Sequence, residues 1–166
     1  MANVLTIGRI ALSIALLIPA TFSPAFFALY VLAGATDMLD GYIARRTGTE
    51  SELGAKLDSI ADLILVVVCL VKILPAIAVP TWLWIWAAAI VLVKAANAVS
   101  GFVVEKRLVM PHTMANKVAG FVVFLVPFAI PLFGITAPAI IACATATFAA
   151  VQEGHFIRSG RSTSLA

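Results

Sequence analysis

The sequence predicts an all-α fold, a polytopic membrane bundle of six transmembrane helices with both termini cytoplasmic. Three observations predict it. Of 166 residues, 63% are hydrophobic and only 11% are charged, against about 25% charged in an ordinary soluble domain. Six apolar segments each approach the roughly 20 residues that a helix needs to cross a hydrocarbon core. The breaks between them alternate between uncharged and charged.

Taken in order, the segments run over 4–22, 25–45, 53–74, 81–103, 113–132 and 137–157. Pro24, Pro75, Pro80, Pro111 and Pro138, together with Gly134, lie in or beside the breaks and stop helices there. Pro127 and Pro131 fall inside or at the end of the fifth segment, where a membrane helix tolerates a kink if neighbours satisfy the freed carbonyls. The breaks at Thr21–Pro24, Pro75–Thr81 and Phe133–Pro138 carry no charge. The opposite side holds Arg9, Arg45, Arg46, Lys56, Lys106, Arg107, Arg158 and Arg161, which the positive-inside rule places in the cytoplasm. Trp82, Trp84 and Trp86 open the fourth segment, as an outer aromatic belt does.

Residues 1–158 read as one six-helix catalytic domain and 159–166 as a short polar tail. Arg9 followed by Ile10–Ala20 has the outline of a secretory signal. Apolar segments nevertheless continue through the chain, and the topology works with the first one retained as a helix. Cys69 and Cys143 stand alone in apolar runs without metal or redox spacing, so both read as packing residues. The net charge of +3 is small and no Lys/Arg run exceeds two residues, which excludes a nucleic-acid patch as the organising feature.

Chemistry concentrates where the second segment ends and the third begins. Asp37, Asp40, Gly41 and Ala44 share an arc of about 100° on one helix, and Gly54, Asp58 and Asp62 share about 80° on the next. An ionised Asp at membrane depth costs roughly 2.5–3.5 kcal/mol, and four together also repel one another. Protonation or cations must relieve that. Arg45 and Lys56 are the basic residues placed near enough in sequence to help. Two divalent ions match four carboxylates in charge, and an all-oxygen set suits Mg²⁺ or Mn²⁺. Two such ions can clamp a phosphoryl group in transfer. Lone helix caps or a solvated face explain one aspartate, not four on two matched arcs.

The pattern Asp37-x2-Asp40-Gly41-x2-Ala44-Arg45-x8-Gly54-x3-Asp58-x3-Asp62 covers 26 residues with eight defined positions. It resembles the complete motif of the CDP-alcohol phosphotransferase (CDP-alcohol phosphatidyltransferase) family. The opening Asn3-Val4-Leu5-Thr6-Ile7-Gly8-Arg9 is similar to one common in bacterial members, and six spans with the motif on the second and third match the family's layout. The resemblance implies that Asp37, Asp40, Asp58 and Asp62 bind two Mg²⁺ or Mn²⁺ ions. It implies that Asp62 binds a metal or serves as general base. It also implies that Gly41, Ala44, Arg45 and Gly54 line the CDP site with Asp37, Asp40 and Asp58. The expected reaction moves a phosphatidyl group from CDP-diacylglycerol to a small alcohol and releases CMP, making phospholipid. A homodimer in the cell membrane, with its active site on the cytoplasmic side, is expected by the same analogy.

The acceptor is read from other polar residues in the apolar segments. Lys94 and Asn97 share a face one turn apart, Arg107 follows in the next loop, and Lys117 opens the fifth segment. Together they suit an acceptor phosphate. Glycerol-3-phosphate is the first expectation, and inositol phosphate or another head-group alcohol the alternative. Val104–His112 resembles the corresponding stretch of neither group, which leaves the acceptor open. His112 and His155, like Glu105 and Glu153, fit interfacial or loop positions, and Lys72 fits snorkelling toward the outer surface. A small ion transporter is the rival from another class. It expects discontinuous helices and repeat symmetry, and leaves the Gly/Ala/Arg spacing without a purpose.

Overall fold

The computed structural model describes residues 2–47, 52–105 and 114–158, with side chains described for 6–37, 54, 57–101 and 114–158. Among these residues every regular element is helical. In order they are α1 (Ala2–Ala15), α2 (Pro24–Thr47), α3 (Glu52–Ile73), a 3₁₀ turn (Leu74–Ala76), α4 (Thr81–Glu105), α5 (Met114–Phe133) and α6 (Thr136–Arg158). Among the described residues, three helices, within Thr81–Gly101, Met114–Phe133 and Thr136–Arg158, are long and apolar enough to cross a membrane. Large apolar side chains lie open on their outer faces, among them Leu92, Phe121, Leu132 and Val151, where lipid rather than water is the compatible solvent.

The observed bounds follow the sequence reading closely from α2 onward. The first helix departs from it. α1 stops at Ala15, so its 14 residues rise only about 21 Å, short of a full crossing. The chain then turns through 16–23, with Phe22 in the left-handed region (φ 64°) and Pro19 barred from continuing a helical ladder. Apolar composition runs on through this stretch, but the i→i−4 ladder ends with the Leu16 N–H on the Leu12 carbonyl and gives way to i→i−3 turns at Leu17 and Ile18.

Local chemistry sets the other ends. Ser23 caps α2: its Oγ accepts from the Phe26 N–H at 3.2 Å, and Pro24 takes the first helical position, where its missing N–H costs nothing. Gly134 ends α5 with φ 69° and donates its N–H to the Ile130 carbonyl at 2.9 Å. The left-handed backbone there suits a residue without Cβ. Lys72, at the end of α3, donates from Nζ to the Leu17 and Pro19 carbonyls at 3.1 and 2.7 Å. Rather than merely snorkelling, it ties α3 to the turn after α1 by satisfying carbonyls that the helix end leaves open.

The chain divides into two compact units, Met1–Ala78 and Val79–Ala166. In the first, α1 packs against both α2 and α3. Leu16, Phe26, Tyr30, Ala33, Ala61 and Val68 form its apolar interior, with Phe26 and Tyr30 stacked at 6.2 Å between ring centroids. In the second, α6 packs against both α4 and α5. Its buried positions Ala139, Ala142, Cys143, Ala149, Ala150, Glu153 and Ile157 recur at helical spacing. Small residues on that stripe let neighbouring backbones approach closely. Cys143 lies buried within it, as its apolar setting suggests.

Among Gly8, Gly120, Gly134 and Gly154, close approach is tightest at Gly154. A Cβ placed there would lie 2.6 Å from Asn97 Oδ1, and Asn97 is itself fixed by donating from Nδ2 to the Ala150 carbonyl at 2.7 Å. Gly154→Ala should therefore destabilise the second unit by about 1–3 kcal/mol, as overpacking does. Adding Asn97→Ala should recover part of that loss, and a denaturation series on the two single variants and the double variant measures the coupling.

Candidate metal centre

The first unit gathers three of the four motif aspartates. Asp37 comes from α2, and Asp58 and Asp62 lie one turn apart on α3. One carboxylate oxygen from each lies within 4.8 Å of the others. Their side chains keep 47%, 44% and 52% of their surface open, so the cluster is a half-open rim rather than a sealed core. The described aspartates of the two helical arcs read from the sequence thus face one another. The donor set fits a hard divalent cation: it is all oxygen, it is anionic, and its open side leaves room for water or substrate oxygens to complete a shell.

A fourth group completes the arrangement. Arg9, on α1, has no solvent exposure. Its Nη1 lies 3.0, 2.8 and 2.7 Å from Oδ1 of Asp37, Asp58 and Asp62, donating hydrogen bonds to the latter two. One turn further along α1, Ser13 is also buried and returns its hydroxyl to the Arg9 carbonyl at 2.8 Å. The sequence reading counts Arg9 among the cytoplasmic loop charges and looks for counter-charge only at Arg45 and Lys56. The structure corrects this: Arg9 is an interior ion-pairing residue. A signal was present. Arg9 falls within an apolar helix, where a charge without a partner is costly.

The remaining motif positions are reached in part. Gly54 lies half-buried near the start of α3. α2 continues through Asp40, Gly41, Ala44 and Arg45, whose side chains lie outside the described ones. Lys56 stands likewise on α3, while Lys106, Arg107, His112 and the 159–166 tail lie outside the described residues altogether.

Of the residues read as an acceptor site, Lys94, Asn97 and Lys117 are described; they belong to the second unit, and Lys94 and Asn97 have partners of their own. Lys94 Nζ donates to Asn116 Oδ1 at 3.2 Å and lies 3.5 Å from Glu153 Oε2. Asn116 Nδ2 in turn donates to that same oxygen at 3.1 Å. Asn97 is buried with its amide on the Ala150 carbonyl, and Lys117 is exposed. Glu153 is only 7% exposed. The interfacial setting read from the sequence is therefore replaced by a buried one. It is tolerable because Lys94 and Asn116 supply a charge and a donor from two other helices.

Comparison with known proteins follows the motif. Residues 1–151 match the model of the family described as CDP-alcohol phosphatidyltransferase. A CDP-diacylglycerol–glycerol-3-phosphate 3-phosphatidyltransferase of Haemophilus influenzae is 43% identical over 74 residues, 42% of this chain and 40% of that protein. The enzyme of the same name from Escherichia coli K12 is 40% identical over 57 residues, 34% of this chain and 31% of its own. A CDP-diacylglycerol–serine O-phosphatidyltransferase of Methanocaldococcus jannaschii is 55% identical over 38 residues, 23% of this chain and 19% of that protein. The matches thus span less than half the length of these relatives. No solved structure matches the chain significantly.

Proposed function

This chain belongs to the CDP-alcohol phosphatidyltransferase family, and from that premise we propose that it transfers a phosphatidyl group from CDP-diacylglycerol to a small phosphorylated alcohol, releasing CMP. The observation that carries the reading is the meeting of Asp37, Asp58 and Asp62 from two helices, with oxygens within 4.8 Å. Asp40, three residues along α2 from Asp37, falls on the same helical face.

These four aspartates would hold two Mg²⁺ or Mn²⁺ ions. When bound, such ions neutralise phosphate oxygens and the charge that develops on the departing CMP. The protein's own groups do the rest. Gly41, Ala44 and Gly54 are small enough for a nucleotide to lie against backbone, and Arg45 suits a diphosphate through its planar fork of donors. The acceptor oxygen attacks the β-phosphorus, its bond to phosphorus forms as the bond to the CMP oxygen breaks, and the hydroxyl proton passes to a carboxylate oxygen of Asp62. Asp62 suits that role because it is the most open of the three described carboxylates, at 52%, and a general base must touch its substrate.

Glycerol-3-phosphate is the acceptor named for the Haemophilus and Escherichia relatives, and serine for the Methanocaldococcus one. Lys94, Asn97, Arg107 and Lys117 remain the residues proposed to meet an acceptor phosphate, and inositol phosphate remains the alternative. The ion-transporter reading gains nothing from the family match. The proposed setting is the cell membrane, with six spans, the first of them made by α1 together with the apolar turn that follows it, both termini and the carboxylate site on the cytoplasmic side, and a homodimer as the working assembly.

Purified chain in detergent or lipid discs, given CDP-diacylglycerol and Mg²⁺ or Mn²⁺, should release CMP with one acceptor from a panel of glycerol-3-phosphate, inositol phosphate, serine and inositol. EDTA should reduce release to background and added Mn²⁺ should restore it. No CMP with any acceptor sinks the proposal.

A further inference from the structure

Arg9 enters none of the roles assigned above. Its placement nevertheless bears directly on the proposed metals. The guanidinium is wholly buried, and a single nitrogen, Nη1, collects one oxygen from each of Asp37, Asp58 and Asp62 at 2.7–3.0 Å. That is the point toward which any cation shared by the three carboxylates is drawn. Mg²⁺ holds its oxygen ligands at about 2.0–2.1 Å, well inside the spacing that Nη1 imposes on these oxygens. An ion shared by the three Oδ1 atoms and the nitrogen cannot occupy one point, and two like charges at that separation repel strongly.

We propose that Arg9 is the resident cation of this site: its guanidinium balances and gathers the three carboxylates when no divalent ion is bound, and ion and guanidinium exchange rather than share the position. The metal-free site is thereby kept assembled. Three carboxylates from two helices would otherwise repel, and α1, which donates Arg9, would lose its charged tie to α2 and α3. Arg9 is on this view a positioning residue that sets how tightly the site takes its metal. The inference rests on the metal reading given above.

The test is metal binding and stability, without turnover. Mn²⁺ binding is followed by the loss of the free-ion paramagnetic resonance signal, and melting is recorded in EDTA and in Mn²⁺, for the unmodified chain and for Arg9→Met. Exchange expects Arg9→Met to bind Mn²⁺ at least roughly tenfold more tightly, because a competing unit charge within a few ångströms has gone. The variant should also melt lower in EDTA and gain more from Mn²⁺ than the unmodified chain does. Equal or weaker Mn²⁺ binding by Arg9→Met overturns the proposal, and weaker binding makes Arg9 a support for the ligands instead. Binding by neither protein removes the metal reading and this inference together, so the two failures are told apart.

Should Arg9→Met not fold in EDTA, exchange expects it to fold when purified in Mn²⁺, since the ion replaces the missing charge. Failure in Mn²⁺ as well, beside an Arg9→Lys variant that folds and binds Mn²⁺ no more tightly than the unmodified chain, overturns the proposal. Free guanidinium provides a further reading on Arg9→Ala. It should raise the melting temperature in EDTA and lose that effect in saturating Mn²⁺, and the same rise in both conditions counts against exchange.

Discussion

Asp62→Asn should lower CMP release by a factor of about 10² to 10⁴, the range over which a positioned general base contributes, while CDP-lipid binding stays largely intact. The amide keeps the shape of the carboxylate and its Oδ1 can still accept from Arg9, which approaches at 2.7 Å in the unmodified chain. It can no longer take a proton. Single-turnover CMP release measured beside equilibrium binding of CDP-diacylglycerol separates the two effects. Binding that falls as far as turnover would move Asp62 from proton acceptor to ligand only. Asp58→Asn makes the contrast, since a residue proposed as a metal ligand alone should weaken Mn²⁺ binding and turnover together.

The second large effect is expected at Lys94, where stability and acceptor recognition give opposite results. Glu153 is buried and Lys94 Nζ is 3.5 Å from it. Removing one partner of a fully buried pair costs roughly 3–5 kcal/mol. The Lys94 side chain is 44% exposed and Asn116 still donates to Glu153, so Lys94→Met should cost less, about 2 kcal/mol. The double variant Lys94→Met/Glu153→Leu should recover most of that, because no charge is left stranded. If Lys94 instead serves the acceptor phosphate, Lys94→Met raises the acceptor KM and leaves unfolding unchanged. Denaturation and acceptor titration on the same preparations decide between them.

What was legible in the sequence was local. Hydropathy and proline placement located α2 to α6 because helix length, apolar run and break all fall within one short window. The aspartate arcs were legible for the same reason: helical periodicity fixes which residues share a face without knowledge of the neighbour. α1 misled because Leu16–Ala20 is apolar while its backbone turns, and hydropathy does not register where a hydrogen-bond ladder stops. The partners of Arg9 lie 49 and 53 residues away on α3, and Glu153 meets Lys94 across two helices. Such pairings depend on which faces pack together, which no single-segment pattern carries. The sequence singles out Lys94 as a charge within an apolar segment, whereas Arg9 and Glu153 read there as loop or interfacial charges.

The charged tie on α1 also bears on how the chain is made. A ribosome releases α1 with Arg9 before any of its counter-charges exist. Asp37 follows with α2, and Asp58 and Asp62 emerge only 49 and 53 residues after Arg9. A lone arginine carries an insertion cost of roughly 2.5–3.5 kcal/mol at a helix centre. The first helix is therefore poorly suited to settle in lipid by itself, and its stable entry waits for the third. Biogenesis of the first unit is thus coupled across three helices, and a nascent chain stalled before Asp58 should leave α1 extractable where one stalled after α3 does not.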